Sequence, residues 1–255
     1  MNPVTHSASH AMSKVPELTL LFWIIKIAST TLGETGGDAV SMSMGLGYLA
    51  GTGIFAALFL IMVWVQIRAK NFHPYVYWTT IIATTTVGTT LADYADRSLG
   101  IGYAGGSSLL LLLLMGSLFI WYRTLGSVSV SSISTPKAEM FYWLTIMFSQ
   151  TLGTALGDWT ADTAGLGYEG GALLFSALLL LVVAGYFWTK ISHTILFWAA
   201  FILTRPLGAV VGDYLDKPIA QGGLALSRYS ASVALLIFIL ACLFIFKHRP
   251  AKQGH

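Results

Sequence analysis

Hydrophobic positions along this chain run in long blocks, and the polar positions inside alternate blocks fall four residues apart. Eight mostly apolar stretches lie near residues 17–38, 48–67, 74–94, 103–122, 140–160, 168–188, 194–214 and 229–246. A bilayer core about 30 Å thick needs about 20 such residues per helix, so each stretch is predicted to be a transmembrane helix. The first, third, fifth and seventh stretches carry a polar stripe. It reads Lys26, Thr30, Glu34, Asp38; then Thr85, Thr89, Asp93 after Ile81; Gln150, Thr154, Asp158 after Ile146; and Arg205, Ala209, Asp213 after Phe201. Residues at i and i+4 share one face of a helix, so the stripes are single faces. The pattern predicts an all-α membrane protein of eight transmembrane helices, with the odd-numbered helices turning their polar faces inward.

The stripes belong to a repeat. Thr30-Thr31-Leu32-Gly33 leads to Asp38, Thr85-Thr86-Val87-Gly88 to Asp93, Gln150-Thr151-Leu152-Gly153 to Asp158, and Arg205-Pro206-Leu207-Gly208 to Asp213. In each copy a glycine stands five residues before the aspartate and a tryptophan fifteen before it, at Trp23, Trp78, Trp143 and Trp198. The chain is therefore a tandem array of four units. Each unit is a helical hairpin whose link reads Gly45-Leu46-Gly47-Tyr48, Gly100-Ile101-Gly102-Tyr103 or Gly165-Leu166-Gly167-Tyr168, and the fourth departs with Ala220-Gln221-Gly222-Gly223. Two spans per unit make every unit enter the membrane from the same side, so the hairpin repeats are parallel. The aspartates are spaced by 55, 65 and 55 residues, which maps repeats one and two onto three and four by a shift of 120 and predicts pseudo-two-fold halves. The expected organisation is a tail over 1–16, a first half over 17–125, a Ser-rich linker over 126–138, a second half over 139–247 and a tail over 248–255. The first tail holds His6, His10 and Lys14. The apolar run after it is interrupted at Lys26 and belongs to the first repeat, which argues against a cleaved signal segment.

Composition agrees with a membrane protein. Of 255 residues, 55% are hydrophobic and only 10% charged, and the mean hydropathy is +0.72. The lone Cys242 excludes an intramolecular disulfide and a cysteine-rich metal cage. The net charge of +3 is small and the basic residues are spread over several loops without forming one cluster, so nucleic-acid binding has no support. Those basic residues gather in the tails and between repeats, which predicts cytoplasmic termini and aspartates toward the outer face. No histidine pair at zinc spacing, phosphate loop or nucleophile elbow occurs, so neither an enzyme nor a cofactor is expected.

The candidate chemistry lies on the stripe. A charge at mid-membrane costs about 2.5–3.5 kcal/mol or more, so such groups are expected to face one another or water around a central polar cavity. Four aspartates would line its outer end, Lys26 and Arg205 would sit deeper, and Gly33, Gly88, Gly153 and Gly208 would let the helices approach closely. Near a helix C-terminus the macrodipole disfavours an ionised carboxylate. Arg97 can compensate Asp93 and Lys217 can compensate Asp213, each four residues on. Asp38 and Asp158 have Met42 and Asp162 there instead, so a bound cation or a proton is expected to fill the place. Alternatively each aspartate caps a short following turn. Lys26 and Arg205 are expected either to pair with Glu34 or an aspartate, or to contact substrate. The candidate ion-binding set is Glu34, Asp38, Asp93, Asp158, Asp213, Thr30, Thr85, Gln150, Lys26 and Arg205. Within it Glu34, Asp38 and Asp158 are candidate metal ligands, hard oxygens suited to magnesium, calcium, manganese or protons. The tryptophans read as interfacial anchors, as do Tyr48, Tyr103 and Tyr168 on the outer side, while His73 and His193 read as solvated.

Four tandem repeats, each with two transmembrane segments and a tryptophan, resemble the bacterial membrane-protein family defined by a four-fold repeat of unknown function. The resemblance runs from Trp23 to Phe246. It implies a bacterial inner-membrane location and brings no activity or site residues with it. The expected function is therefore taken from the stripe: a transporter or channel for a small cation, divalent or proton-coupled, with the lipid bilayer and that ion as its partners. Two other classes remain open, a non-transporting sensor or scaffold and a binder of an apolar cofactor or lipid, for which Lys26 with Glu34 would permit a Schiff-base pair. The sequence does not indicate an oligomeric state.

Overall fold

A computed structural model describes residues 13–251 of the chain. Its eight long helices are α1 (Leu20–Asp38), α2 (Gly47–Arg68), α3 (Pro74–Asp93), α4 (Tyr103–Leu125), α5 (Pro136–Asp158), α6 (Gly167–Trp188), α7 (His193–Asp216) and α8 (Arg228–Ile245). Local chemistry sets their starts: the Thr19 and Thr135 hydroxyls accept from the N–H groups of Phe22 and Ala138, each at 3.3 Å. Pro74 and Pro136 occupy first turns, where a missing N–H costs nothing. α1, α3 and α5 run without a break into one wide π-helical turn, over Ala39–Ser43, Tyr94–Ser98 and Trp159–Thr163. The glycine pair of each link then reverses the chain, with φ of +69° and +79° at Gly45 and Gly47 and similar values in the next two repeats. In the fourth repeat α7 stays regular through Asp216, and a short turn over Ile219–Gln221 replaces the π turn.

The helices form two concentric rings. α1, α3, α5 and α7 make the inner ring, each packed on two neighbours and α7 closing back on α1. Each outer helix packs chiefly on the inner helix of the following repeat: α2 on α3, α4 on α5, α6 on α7 and α8 on α1. Every repeat is thus completed by the next one, as expected of units that cannot bury a face alone.

The repeated glycines set the inner spacing. A Cβ at Gly88 would lie 2.9 Å from Gln150 Cβ, and one at Gly33, Gly153 or Gly208 would overlap Thr85, Arg205 or Thr30. In all four cases the glycine receives the polar residue three positions before the glycine of the next repeat. A second ring of contacts follows one turn on, where Gly37 meets Thr89, Gly157 meets Ala209 and Gly212 meets Glu34.

Polarity is distributed inside out. The interior holds threonines and charges, while Leu112, Leu173 and Phe244 on the outer ring are 71%, 73% and 84% exposed. Among the described residues five helices, α2, α4, α6, α7 and α8, are long and apolar enough to cross a membrane. The other three belong to the inner ring, where threonine, glycine and charged residues face protein and lower the hydropathy.

The tryptophans are not interfacial anchors. Trp78, Trp143 and Trp198 are buried and Trp23 is half-buried. The aromatic residue just before each tryptophan lies against the tryptophan of the next repeat: Phe22 on Trp78 at 5.3 Å, Tyr77 on Trp143 at 5.7 Å, Tyr142 on Trp198 at 6.2 Å and Phe197 on Trp23 at 5.9 Å. Such contacts add to apolar burial, and here they close one end of the inner ring. The Tyr77 and Tyr142 hydroxyls share a hydrogen bond of 2.6 Å within it.

The described residues before α1, from Ser13 on, pack against the same end. Lys14 is buried, pairs with Glu139 at 2.6 Å and donates to the Gln66 and Ile67 carbonyls at the end of α2. The Glu17 N–H donates to the Arg249 carbonyl and the Ala251 N–H to the Val15 carbonyl, so the described segments before α1 and after α8 meet here. His6 and His10 lie outside the described residues.

Candidate functional site

The stripe residues form four levels along the axis of the inner ring, one helical turn apart. From the aromatic end they are Lys26, Ile81, Ile146, Phe201; Thr30, Thr85, Gln150, Arg205; Glu34, Thr89, Thr154, Ala209; and Asp38, Asp93, Asp158, Asp213. All sixteen residues are buried. The predicted inward seam is therefore present.

At the third level Ala209 leaves a gap that Arg205 fills from one turn earlier. Arg205 Nη2 donates to Glu34 Oε2 at 3.0 Å, to Thr89 Oγ1 at 2.6 Å and to Thr154 Oγ1. The Thr89 hydroxyl also lies 3.3 Å from Glu34 Oε2, so one ion pair ties together all four inner helices. Lys26 does not share it. Its ammonium lies 4.2 Å from the Phe201 ring centre and has no hydrogen-bond partner, which corrects the expectation that it pairs with Glu34 or an aspartate. The Lys26–Glu34 pair that a Schiff base would use is likewise not formed. Thr30 turns its hydroxyl back to the Ile27 carbonyl at 2.8 Å and across to Thr204 O at 3.2 Å, while the Thr85 hydroxyl and the Gln150 amide have no partner.

At the fourth level the i,i+4 pairs read from sequence are formed, Arg97 Nε to Asp93 Oδ1 at 2.8 Å and Lys217 Nζ to Asp213 Oδ1 at 3.0 Å. Each cation also reaches the next repeat. Lys217 Nζ lies 3.0 Å from Asp38 Oδ2, and Arg97 Nη2 lies 3.6 Å from Asp158 Oδ2. Arg228 approaches Asp38 at 3.5 Å while pairing with Asp216 at 2.7 Å. The expectation that Asp38 and Asp158 lack a protein cation is thus overturned, because the partners come across the ring. Burial works against the Lys217 charge, but Asp213, Asp38 and Asp216 outweigh it and hold the group above the ordinary lysine range. Asp38, Asp93 and Asp158 make no capping bond to the turns that follow them, because the helical backbone continues through each.

The result is four buried aspartates bridged by two cations, Arg97 and Lys217. Carboxylate oxygens of Glu34, Asp158 and Asp213 lie within 4.8 Å of one another, as do those of Glu34, Asp38 and Asp93. Asp158 Oδ1 is buried with no hydrogen-bond partner. Such oxygens are hard ligands of the kind that hold magnesium, calcium or manganese. Beside this level opens a cavity of about 530 Å³, lined by Arg97, Asp162, Tyr168, Lys217, Gln221 and Arg228 among others. Tyr168 is buried against it rather than serving as an outer anchor, and the Tyr48 ring lies 6.0 Å from the Arg97 guanidinium. His73 and His193 are exposed, as read.

Thr89 and Thr154, which hold Arg205, stood on the stripe but were not among the candidate ligands. Arg228 had no signal, since the other repeats carry no basic residue at the start of their second helix.

The sequence matches the Repeat of Unknown Function (DUF347) family four times in tandem, over residues 21–72, 76–127, 141–192 and 196–251, and the chain belongs to that family. No curated protein and no solved structure matches it.

Proposed function

We propose that this member of the repeat family is a carrier for a small cation, a divalent metal ion or protons, which enters from the wide cavity and binds among the axial carboxylates. The observation that carries the reading is the charge balance of the fourth level. Arg97, Lys217 and Arg228 serve the four axial aspartates and Asp216, which leaves two negative charges beside Glu34, whose own charge is answered by Arg205. A divalent cation or two protons would balance them. Buried ionisable groups inside a membrane protein are functional by default.

A carrier suits this geometry better than an open channel, because the aromatic ring closes the axis at the end opposite the cavity. All eight helices would cross the membrane of a bacterial cell, with both chain ends cytoplasmic and the aspartates toward the outer face. The bridges join repeat two to three and repeat four to one, a pattern with two-fold symmetry. This favours two halves that rock about the bound ion, in the manner of parallel-repeat transporters. Breaking and remaking the Arg97–Asp158 and Lys217–Asp38 contacts would accompany that motion.

The test is uptake by proteoliposomes of manganese, calcium, magnesium and protons at two pH values. The expected result is uptake of at least one of these, lost in Asp158→Asn while the variant remains folded. Folded protein that moves none of them would transfer the polar seam to a static scaffold.

A further inference from the structure

We propose that the band of the axis between the aromatic ring and Glu34 is a binding site for a compact monovalent anion of halide size. The inference does not depend on the cation-carrier reading, because it concerns a different level and asks only for binding. The band is rich in donors that have nothing to donate to. Lys26 Nζ, Arg205 Nε and Nη1, the Gln150 amide nitrogen and the Thr85 hydroxyl are all buried without a hydrogen-bond partner, as is the Gln150 amide oxygen, the one acceptor group on these four side chains apart from the Thr85 hydroxyl. Lys26, Thr85, Gln150 and Arg205 are each 0% exposed. Buried polar groups are paired as a rule, so a cluster of unpaired ones calls for a partner.

An acceptor that carries negative charge would answer the two basic groups among them. Lys26 and Arg205 are the two basic groups of the band, and the carboxylate they would share, Glu34, is taken by Arg205 Nη2 together with the Thr89 hydroxyl. The aspartates are two and three turns farther along and have Arg97, Lys217 and Arg228 beside them. A buried ion without counter-charge is among the costliest features a fold can contain. Packing does not explain Lys26, since repeats two and three place Ile81 and Ile146 at the matching position. The contacts of Gly88 on Gln150 and Gly153 on Arg205 hold the inner helices close, so any occupant of this band has to be small.

The experiment is thermal unfolding of the full chain in detergent, at fixed sodium concentration and ionic strength, with bromide replacing gluconate stepwise. Wild-type protein is expected to melt higher with bromide in a saturable way, by on the order of 5 °C at about a hundred times the dissociation constant. Lys26→Ile is expected to lose the response, whereas Arg97→Gln, altered at the aspartate level, keeps it. If Lys26→Ile does not fold, Gln150→Leu serves instead and is expected to raise the half-saturating bromide concentration roughly tenfold, the worth of one hydrogen bond to a charged group. No difference between bromide and gluconate in the wild type, or an undiminished response in the folded Lys26 or Gln150 variant, overturns the site.

Discussion

Replacing Arg205 and Glu34 singly and together measures what holds the centre of the ring. The side chains of the pair are 0% and 4% exposed, so neither charge has water to fall back on. Arg205→Gln gives repeat four the residue that repeat three carries at Gln150, but it leaves the Glu34 carboxylate with only the Thr89 hydroxyl at 3.3 Å. Glu34→Thr, copying Thr89 and Thr154, leaves the guanidinium facing hydroxyls alone. Removing one partner of a buried ion pair costs about 3–5 kcal/mol. The double substitution strands no charge and is expected to cost no more than either single one, a coupling of about 3 kcal/mol or more. The assay is equilibrium unfolding in mixed micelles, followed by the fluorescence of the tryptophans in the aromatic ring. Independent sites add within about 0.5 kcal/mol, so additivity at that level would refute the claim that this pair ties the inner helices together.

Two further outcomes follow from the packing. Gly153→Ala places a methyl group on the stem of Arg205 and is expected to cost about 1–3 kcal/mol, whereas Gly53→Ala, with nothing within 4 Å, is expected to be neutral or stabilising by up to about 1 kcal/mol; the same unfolding assay reads both. Lys14→Leu leaves Glu139 buried without its ammonium and is expected to cost about 3–5 kcal/mol, while the double variant with Glu139→Leu recovers most of that loss in thermal unfolding.

The inward seam was legible from sequence because apolar surroundings on the outside leave polar side chains only one direction to face, and their four-residue spacing names the helix face. The glycine links marked the reversals, but the fifth helix starts at Pro136, inside the stretch read as a linker, because a proline in a first turn opens a helix as readily as it ends a loop. Contacts between repeats were not legible. Counting four residues along one helix finds Lys217 beside Asp213 but not beside Asp38, because that contact depends on the fourth repeat closing on the first. The tryptophans misled because an interfacial belt and an aromatic ring both place tryptophan at the same end of a helix. The distinguishing signal was the aromatic residue before each one, Phe22, Tyr77, Tyr142 and Phe197. The different fates of Lys26 and Arg205 turn on which way a long side chain bends. Ala209, the one small residue on its level, was the available clue that Arg205 extends toward Glu34.

The central claim is that the fourth level binds a cation, and titration of purified protein with manganese, read by the loss of the free-ion electron paramagnetic resonance signal and by a pH indicator in the same cell, tests it directly. The account predicts saturable manganese binding or proton exchange that Asp158→Asn removes and Glu139→Gln, a buried carboxylate away from the axis, leaves intact. Wild-type protein that neither takes up manganese nor exchanges protons, or an Asp158→Asn variant that does so equally, would contradict it.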